Sequence, residues 1–326
     1  MAANLTKPLT WLITGGTGSL GSALTKRLLS QGHKVRAYAR NEHSHERLER
    51  AIDPVHRSRL SNLVGDVRDV ERLYEACDGV DVVIHAAAMK VIPLCEYNPR
   101  EAVATNVMGT ANVARAVIAC DVSRAVLVST DKARSPSTHY GSCKLAAERL
   151  WLASNAMLGA RPKRFAGVVY GNVFGSQGSI LHAFREQMQS GAITITDKAC
   201  TRFHITLAQA VDLVLGVAHE AEPGEIWIPK IPSYRVVDFA EAVAPGLPHK
   251  VIGLRANEKV HELLISEDEA PYVREEDGHY VMTPGVPAES HVEEFHSGRN
   301  PWKLSVERIR HEIVEFDREH EGVRCG

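Results

Sequence analysis

Asp131 and Lys132 stand side by side at the end of Val126-Leu-Val-Ser-Thr-Asp-Lys132, and nine residues after Asp131 a Tyr140-Gly-Ser-Cys-Lys144 motif begins. Residues four apart on an α-helix share a face, so Tyr140 and Lys144 can point into one site together. An ammonium beside a phenol favours the phenolate, which lets a tyrosine that ordinarily titrates near about 10 act as a base at neutral pH. Oxidation of an alcohol needs no more than that pair. The neighbouring acid and amine add one further proton abstraction and one further proton donation, and removal of water from an oxidised substrate requires both. Tyr-x-x-x-Lys alone is a weak signal; its placement after Asp131-Lys132 makes it informative.

Parallel strands alternating with helices must position these groups. Apolar runs and helical stretches alternate through the first half, which predicts an α/β chain with a doubly wound parallel sheet of Rossmann type. Strands are expected over 9–14, 35–39, 62–64, 80–86, 125–129 and 164–170, and helices over 19–31, 106–119 and 140–158. The pattern loosens after about residue 175, with Pro and Gly clusters at Pro223-Gly224, Ile231-Pro232 and Pro245-Gly246. Residues 1–175 read as a dinucleotide-binding domain to which a segment around 205–230 returns. Residues 176–326 read mainly as a smaller substrate-binding domain, with helices over 179–190, 207–218, 236–244 and 305–319. The charge cluster Arg274-Glu-Glu-Asp-Gly278 shows no apolar face and reads as a solvated loop.

Thr14-Gly-Gly-Thr-Gly-Ser-Leu-Gly21 lies between the first strand and the first helix. Gly15, Gly18 and Gly21 allow a tight turn, close approach to a pyrophosphate and close helix packing, with Thr17, Ser19 and Leu20 at the helix N-terminus where phosphate sits. An acid at the end of the second strand normally bonds the ribose of NAD and repels a 2′-phosphate. Here Ala39 holds that place and Arg40 follows it, so the expected cofactor is NADP rather than NAD. Asp66 and Val67 suit the adenine edge, and Ala86 and Ala87 allow close approach to the cofactor. His85 reads as a packed strand-end residue and receives no role.

Composition excludes other classes. The 38 basic and 40 acidic residues give a net charge of -2, and no basic run tracks a phosphate backbone, so nucleic acid is not an expected partner. The segment from Met1 to Pro8 lacks the layout of an export signal, and no run is apolar enough to span a membrane. Cysteines 77, 95, 120, 143, 200 and 325 form no C-x-x-C and read as free thiols of a reducing cytoplasm. No metal set is apparent.

With these residues placed, the chain resembles the extended short-chain dehydrogenase/reductases, and within them the inverting UDP-N-acetylglucosamine 4,6-dehydratases of polysaccharide biosynthesis. The resemblance rests on Ala87-Ala-Met-Lys-Val-Ile-Pro-Leu-Cys-Glu-Tyr-Asn-Pro99, Glu101-Ala-Val-Ala-Thr-Asn-Val-Met-Gly109, Ser129-Thr-Asp-Lys-Ala133, Tyr140-Gly-Ser-Cys-Lys144, Tyr170-Gly-Asn-Val173, Thr201-Arg-Phe-His-Ile-Thr206 and Ile228-Pro-Lys-Ile-Pro232. It implies oxidation at C4 of the sugar with Tyr140 as base, oriented by Thr130 and Lys144. It further implies that Lys132 removes the C5 proton and Asp131 protonates the departing C6 hydroxyl. Dehydratases that keep the C5 configuration commonly carry Asp-Glu here, so Lys132 implies inversion. Arg202 and Arg255 are implied as a diphosphate clamp, Glu258 as a ribose contact, and Asn172 and Lys90 as substrate contacts. Pairing through the helices over 106–119 and 140–158 is implied, giving a homo-oligomer, a dimer or a hexamer.

Two positions depart from the family pattern. Members usually read Arg-Pro-Gly-Glu-Lys where this chain has Arg255-Ala-Asn-Glu-Lys259, and usually carry Arg where this chain has Val169. Three other readings stay open on sequence alone. A nucleotide-sugar 4-epimerase needs Tyr140 and Lys144 but no C5 base, a 5,6-dehydratase stops before the hydride returns, and a silent dinucleotide-binding scaffold or sensor turns nothing over.

Overall fold

Trp11 and Ile13 face one side of the first strand and Leu12 the other, and all three are fully buried, so this strand is covered on both faces. The same double burial recurs along the sheet in the computed structural model, which describes residues 7–162, 164–289 and 292–321. The first six strands are β1 (Thr10–Thr14), β2 (Lys34–Ala39), β3 (Leu60–Val64), β4 (Val82–His85), β5 (Arg124–Val128) and β6 (Phe165–Val168). Between them run α1 (Ser19–Ser30), α2 (Glu42–Arg50), α3 (Val70–Cys77), α4 (Ile92–Tyr97), α5 (Pro99–Ala102), α6 (Gly109–Ala119) and α7 (His139–Ala153). The second half holds β7 (Asn172–Val173), α8 (Ile180–Met188), β8 (Ile193–Ile195), β9 (Thr201–Ile205), α9 (Leu207–Glu220), β10 (Ile226–Pro229), β11 (Ser233–Arg235) and α10 (Val236–Val243). It ends with β12 (His249–Val251), β13 (Leu263–Ile265), β14 (Val273–Glu275), β15 (His279–Met282), β16 (Phe295–His296) and α11 (Val306–Glu321).

The main sheet runs β14-β15-β10-β6-β5-β4-β1-β2-β3. Strands β1 to β6 pair in parallel and β10 extends them beside β6, giving the doubly wound α/β fold. Strand order reverses between β1 and β4, and the crevice outside the carboxyl ends at such a switch point is where ligands bind in these sheets. One core packs α1 and α9 on one face; a second packs α3, α6 and Trp151 on the other. A separate cluster gathers Phe184, Phe239 and Ile309 from α8, α10 and α11 with Phe174, just after β7, and Tyr234.

Several elements differ from the sequence expectation. The helix expected over 106–119 begins as a π-helical turn, Val103–Met108, and the one expected over 140–158 ends at Ala153, with a separate short turn over Ala156–Leu158. Helices α2 and α3 were not anticipated. The segment around 274–278 is partly a correction: residues 275–278 are exposed as expected and 276–278 form a turn, but that turn closes the hairpin β14–β15 at the sheet edge, and Arg274 and Glu275 belong to β14. Val273, Val281 and Met282 are buried there, and Arg274 is held by Glu225 at 2.6 Å and Glu276 at 2.9 Å. Arg274 thus leaves the charge cluster to pair with Glu225, while Glu276 and Asp277 stay in the exposed turn. The first residues, 1–6, and Cys325 lie outside the described residues. The five described cysteines are free, and none of the described helices is long and apolar enough to cross a membrane.

Candidate active site

The glycine loop leaves β1 and enters α1 with Gly18 at the N-cap, no side chain bonding the cap and no acid in the first turn. An open, uncharged helix start of this kind suits an anion. A Cβ on Gly21 would strike the Gly15 carbonyl oxygen, so the helix reaches the loop only because residue 21 is glycine. Across the switch point, the Ala86 and Ala87 amides are tied to Thr14, at 3.1 and 3.3 Å. Thr17 is half-buried in the loop, Leu20 packs on the core, and Ser19 Oγ accepts the Gln177 amide at 3.0 Å. These residues fit a dinucleotide.

At the outer edge the fit is looser. Arg40 is exposed, and Asp66 is engaged by Arg68 at 2.7 Å. Burial pushes the Asp66 carboxyl up, but the hydrogen bonds and charge of Arg68 outweigh it and hold the group below its usual range. The Val67 side chain is core rather than ligand-facing. His85 is fully buried between Thr14 and Thr110, at 2.6 and 2.9 Å, and burial pushes it down to about 3, so it stays neutral and serves packing.

Strand β5 delivers Ser129 and Thr130 into a short turn, Asp131–Ala133, against the first turn of α7. A Cβ on Gly141 would run into the Lys132 carbonyl oxygen, so the Tyr-Gly pair lets helix and turn meet. Within this contact Thr130 Oγ1 donates to Asp131 Oδ1 at 2.8 Å, and Lys132 Nζ donates to the same oxygen at 3.0 Å. Tyr140 is buried with Cys95, Ala102 and Cys143 and lies within hydrogen-bond reach of Thr130. Thr130, Asp131, Lys132 and Tyr140 therefore form one cluster.

Burial pushes the Tyr140 phenol up to about 12, and the cation acting most strongly against that rise is Lys132. Lys144 instead donates to the Val128 carbonyl at 2.9 Å. Of the two groups expected to orient and activate the phenol, Thr130 lies within its reach, while the Lys144 ammonium is turned to the backbone. The phenol is protonated at neutral pH in this arrangement, and ionising it calls for added positive charge in the site.

Burial pushes Lys144 down to about 8, against the pull of Glu148. A lysine whose folded value lies below its unfolded one penalises the folded state wherever it is protonated, by about 3 kcal/mol for a shift of this size. The penalty is full below about pH 8 and fades as pH rises towards about 10.5. Wild-type protein should therefore gain apparent melting temperature over Lys144→Met between those two pH values. Parallel melting curves across that window would show that Lys144 is not a buried, depressed lysine.

The remaining sequence candidates divide. Arg202 lies beside Glu258 at 3.1 Å and Glu262 at 3.8 Å, and also donates to the Thr201 and Val260 carbonyls. Its guanidinium is thus largely engaged within the protein. Arg255 is exposed, with its amide bonded to Glu258 at 3.2 Å. Asn257 in the same loop takes φ 64, a left-handed conformation that Asn tolerates, so the turn forms without the usual Pro-Gly. Ser137 and Lys259 tie that loop to the active-site turn, at 2.8 Å to Asn257 O and 2.6 Å to Arg134 O. Asn172 has a buried Oδ1 with no partner among the described residues, and Lys90 donates to the Gln177 carbonyl at 2.9 Å.

Sequence reasoning missed two groups. Glu262, only 5% exposed, lies 3.6 Å from Lys132 Nζ. Arg134 is fully buried between Glu148 at 2.8 Å and Glu269 at 3.2 Å, bracing the catalytic turn from behind. No motif spacing could have found either carboxylate set, because the partners are distant in sequence. Cys95 lay inside a motif already noted, but nothing local placed it against Tyr140.

A dinucleotide crevice beside a buried tyrosine and lysine and a half-buried threonine defines an extended short-chain dehydrogenase/reductase. More narrowly, residues 11–284 match the family described as polysaccharide biosynthesis protein, and the chain belongs to it. A relative from Campylobacter jejuni subsp. jejuni serotype O:2, UDP-N-acetylglucosamine 4,6-dehydratase (inverting), is 43% identical over 84% of this chain and 83% of its own. A UDP-glucose 4-epimerase of Rickettsia rickettsii is 37% identical over 80% and 78%. Among solved structures, Pen from Bacillus thuringiensis superposes with a TM-score of 0.89 at 33% identity, covering 95% of this chain and 99% of that one. DesIV, a dTDP-glucose 4,6-dehydratase from Streptomyces venezuelae with NAD and TYD bound, shares the fold, with a TM-score of 0.68 at 20% identity over 77% and 87%.

Proposed function

We propose that the protein is a nucleotide-sugar 4,6-dehydratase that converts UDP-N-acetylglucosamine to a 4-keto-6-deoxy sugar with inversion at C5. The observation that carries this reading is the Asp131–Lys132 pair, joined at 3.0 Å and set beside the buried Tyr140. An oxidised nicotinamide bound in the crevice supplies a hydride acceptor and a positive charge. With that charge in place the Tyr140 phenol, having released its own proton to solvent, would take the proton of the C4 hydroxyl as the C4 hydride departs, with Thr130 and Lys144 fixing the phenol and its surroundings. The C4 ketone acidifies the C5 proton.

One proton serves both roles at the pair. In the resting site it resides on Lys132, whose affinity for it is lowered by burial but raised further by Asp131 and Glu262, with a net rise. Passing it along the 3.0 Å contact leaves a neutral Lys132 and a protonated Asp131. Lys132 then removes the C5 proton, Asp131 donates to the C6 oxygen, the C6–O bond breaks, and water leaves. The pair ends as an ammonium and a carboxylate, as it began; the hydride taken from C4 would then return to C6 and a proton would reach C5 from the opposite face, giving the C6 methyl and the inverted centre with no net redox change. Inversion rests on lysine at position 132 and on the inverting activity of the Campylobacter jejuni relative.

A nicotinamide dinucleotide is supported by the crevice and by the bound NAD of the DesIV structure. We infer NADP from Ala39 followed by an exposed Arg40. Arg255 and Lys90 would meet the diphosphate first, Arg202 would exchange a carboxylate for it, and Glu258 and Asn172 would hold ribose or diphosphate. A homo-oligomer paired through α6 and α7 is supported by the exposed Val103 and Met108 leading into that helix pair. The Rickettsia relative favours a second reading, a 4-epimerase, which leaves Asp131, Lys132 and Glu262 without work.

Proton NMR of UDP-N-acetylglucosamine with the protein in deuterated water, with NADP and with NAD in parallel, separates these readings. The expected result is a new C6 methyl signal with deuterium at C5, couplings showing inversion, and faster turnover with NADP. A C4 epimer without deuterium at C5 would establish the epimerase instead.

A further inference from the structure

The elimination pair does not stand alone. Glu262 places Oε1 3.6 Å from Lys132 Nζ and 3.8 Å from Arg202 Nε, bridging the amine and the arginine from one oxygen. Its backbone is fixed on both sides of the peptide: the Glu262 amide donates to Ser297 Oγ at 2.9 Å, and its carbonyl accepts the Ser297 amide at 2.9 Å. Ser297 is fully buried and also bonded to Thr201, so this mount is rigid. The second carboxylate oxygen, Oε2, is buried with no partner among the described residues, and so is Asp131 Oδ2. A side chain serving only to neutralise buried cations would have both oxygens satisfied.

We propose that Glu262 is a positioning residue of the elimination step: it holds Lys132 against Asp131 and couples that pair to Arg202, so that one proton is exchanged in place between amine and carboxylate. The inference rests on the assignment of Lys132 as the C5 base. Two consequences follow from charge alone. A carboxylate beside an ammonium raises the pH at which the amine becomes a free base. An anion arriving at Arg202 weakens the guanidinium's hold on Glu262, leaving that carboxylate more fully to Lys132. The other charged or titratable groups facing the cluster are Asp131 and Tyr140 from the turn and α7, Arg202 from β9, Tyr234 from β11, and Lys259 from the loop before β13.

The test uses the full chain with its nicotinamide cofactor and UDP-N-acetylglucosamine, following C5 deuterium exchange by NMR and C4 oxidation by reduced-cofactor absorbance, from acid to alkaline pH. For Glu262→Gln we expect exchange to fall by at least about tenfold while C4 oxidation changes by less than about threefold, because only the proton-transfer pair loses its support. In the alkaline range, where the amine can also lose its proton to solvent, we expect the limb where exchange, taken relative to C4 oxidation, rises with pH to move to lower pH by at least about half a unit, because a negative charge near Lys132 is gone. Glu262→Asp keeps the charge but draws it back by one methylene, so its limb should fall between the other two; this arm stands even where the Gln variant does not fold. An unmoved limb in either variant, or equal losses of oxidation and exchange, would overturn the role of Glu262 while leaving the dehydratase intact. Absence of C5 exchange in the wild type would overturn the dehydratase reading, and the role of Glu262 with it.

Discussion

Tyr140→Phe is expected to abolish the first chemical event, with C4 oxidation falling by about a thousandfold or more, at the upper end of what a positioned general base contributes. The substitution removes one oxygen and keeps the ring. The ring is buried among Cys95, Ala102 and Cys143, so packing is retained and the loss is chemical. Thr130 keeps its bond to Asp131 at 2.8 Å, and the Asp131–Lys132 contact does not pass through the phenol. Cofactor binding should therefore be unchanged. With substrate added, no absorbance of reduced cofactor should appear and no C5 deuterium should accumulate, because the C5 proton is acidic only next to a C4 ketone. Normal cofactor reduction in this variant would remove Tyr140 from its assigned role.

Lys132→Ala should separate the two halves of the reaction. C4 oxidation requires Tyr140, Thr130 and Lys144, all present, and should persist within about tenfold, since only one neighbouring charge that eases phenol ionisation is lost. C5 exchange and methyl formation should fall by about a thousandfold or more, because no other neutral amine stands beside Asp131. The expected signature is reduced cofactor that accumulates and persists. Asp131 and Glu262 are left as two buried carboxylates without their shared cation, which disfavours ionisation of both and lowers stability by a few kcal/mol, about the penalty for breaking a buried ion pair. Lys132→Ala with undiminished C5 exchange would falsify the assignment of the C5 base, and attention would turn to Asp131 and Glu262 themselves.

Much of the fold was legible because its signals are local. The glycine loop, the apolar runs of β1, β4 and β5 and the helix that follows the loop each carry their own period or turn chemistry, and all formed within a few residues of expectation. The hairpin β14–β15 was not legible, because its acidic turn is as solvated as the sequence implies and the strand pairing and the Arg274–Glu225 contact exist only once the sheet edge is in place. The π-helical turn at 103–108 was likewise hidden, since a run suited to an α-helix does not announce one residue more per turn.

The site divides along the same line. Sequence alone determined which groups share the turn and the helix: Thr130, Asp131 and Lys132 are consecutive, and Tyr140 and Lys144 are one helical turn apart, so covalent connection and helix period bring them near one another in any fold of this class. Tertiary structure alone decided what surrounds them. It set Lys132 rather than Lys144 as the cation acting most on Tyr140, turned Arg202 towards Glu258 and Glu262, and buried Arg134 behind the turn. These contacts join residues far apart in the chain, and their strength depends on burial and on charges brought together by the fold; neither is encoded in the spacing of a motif.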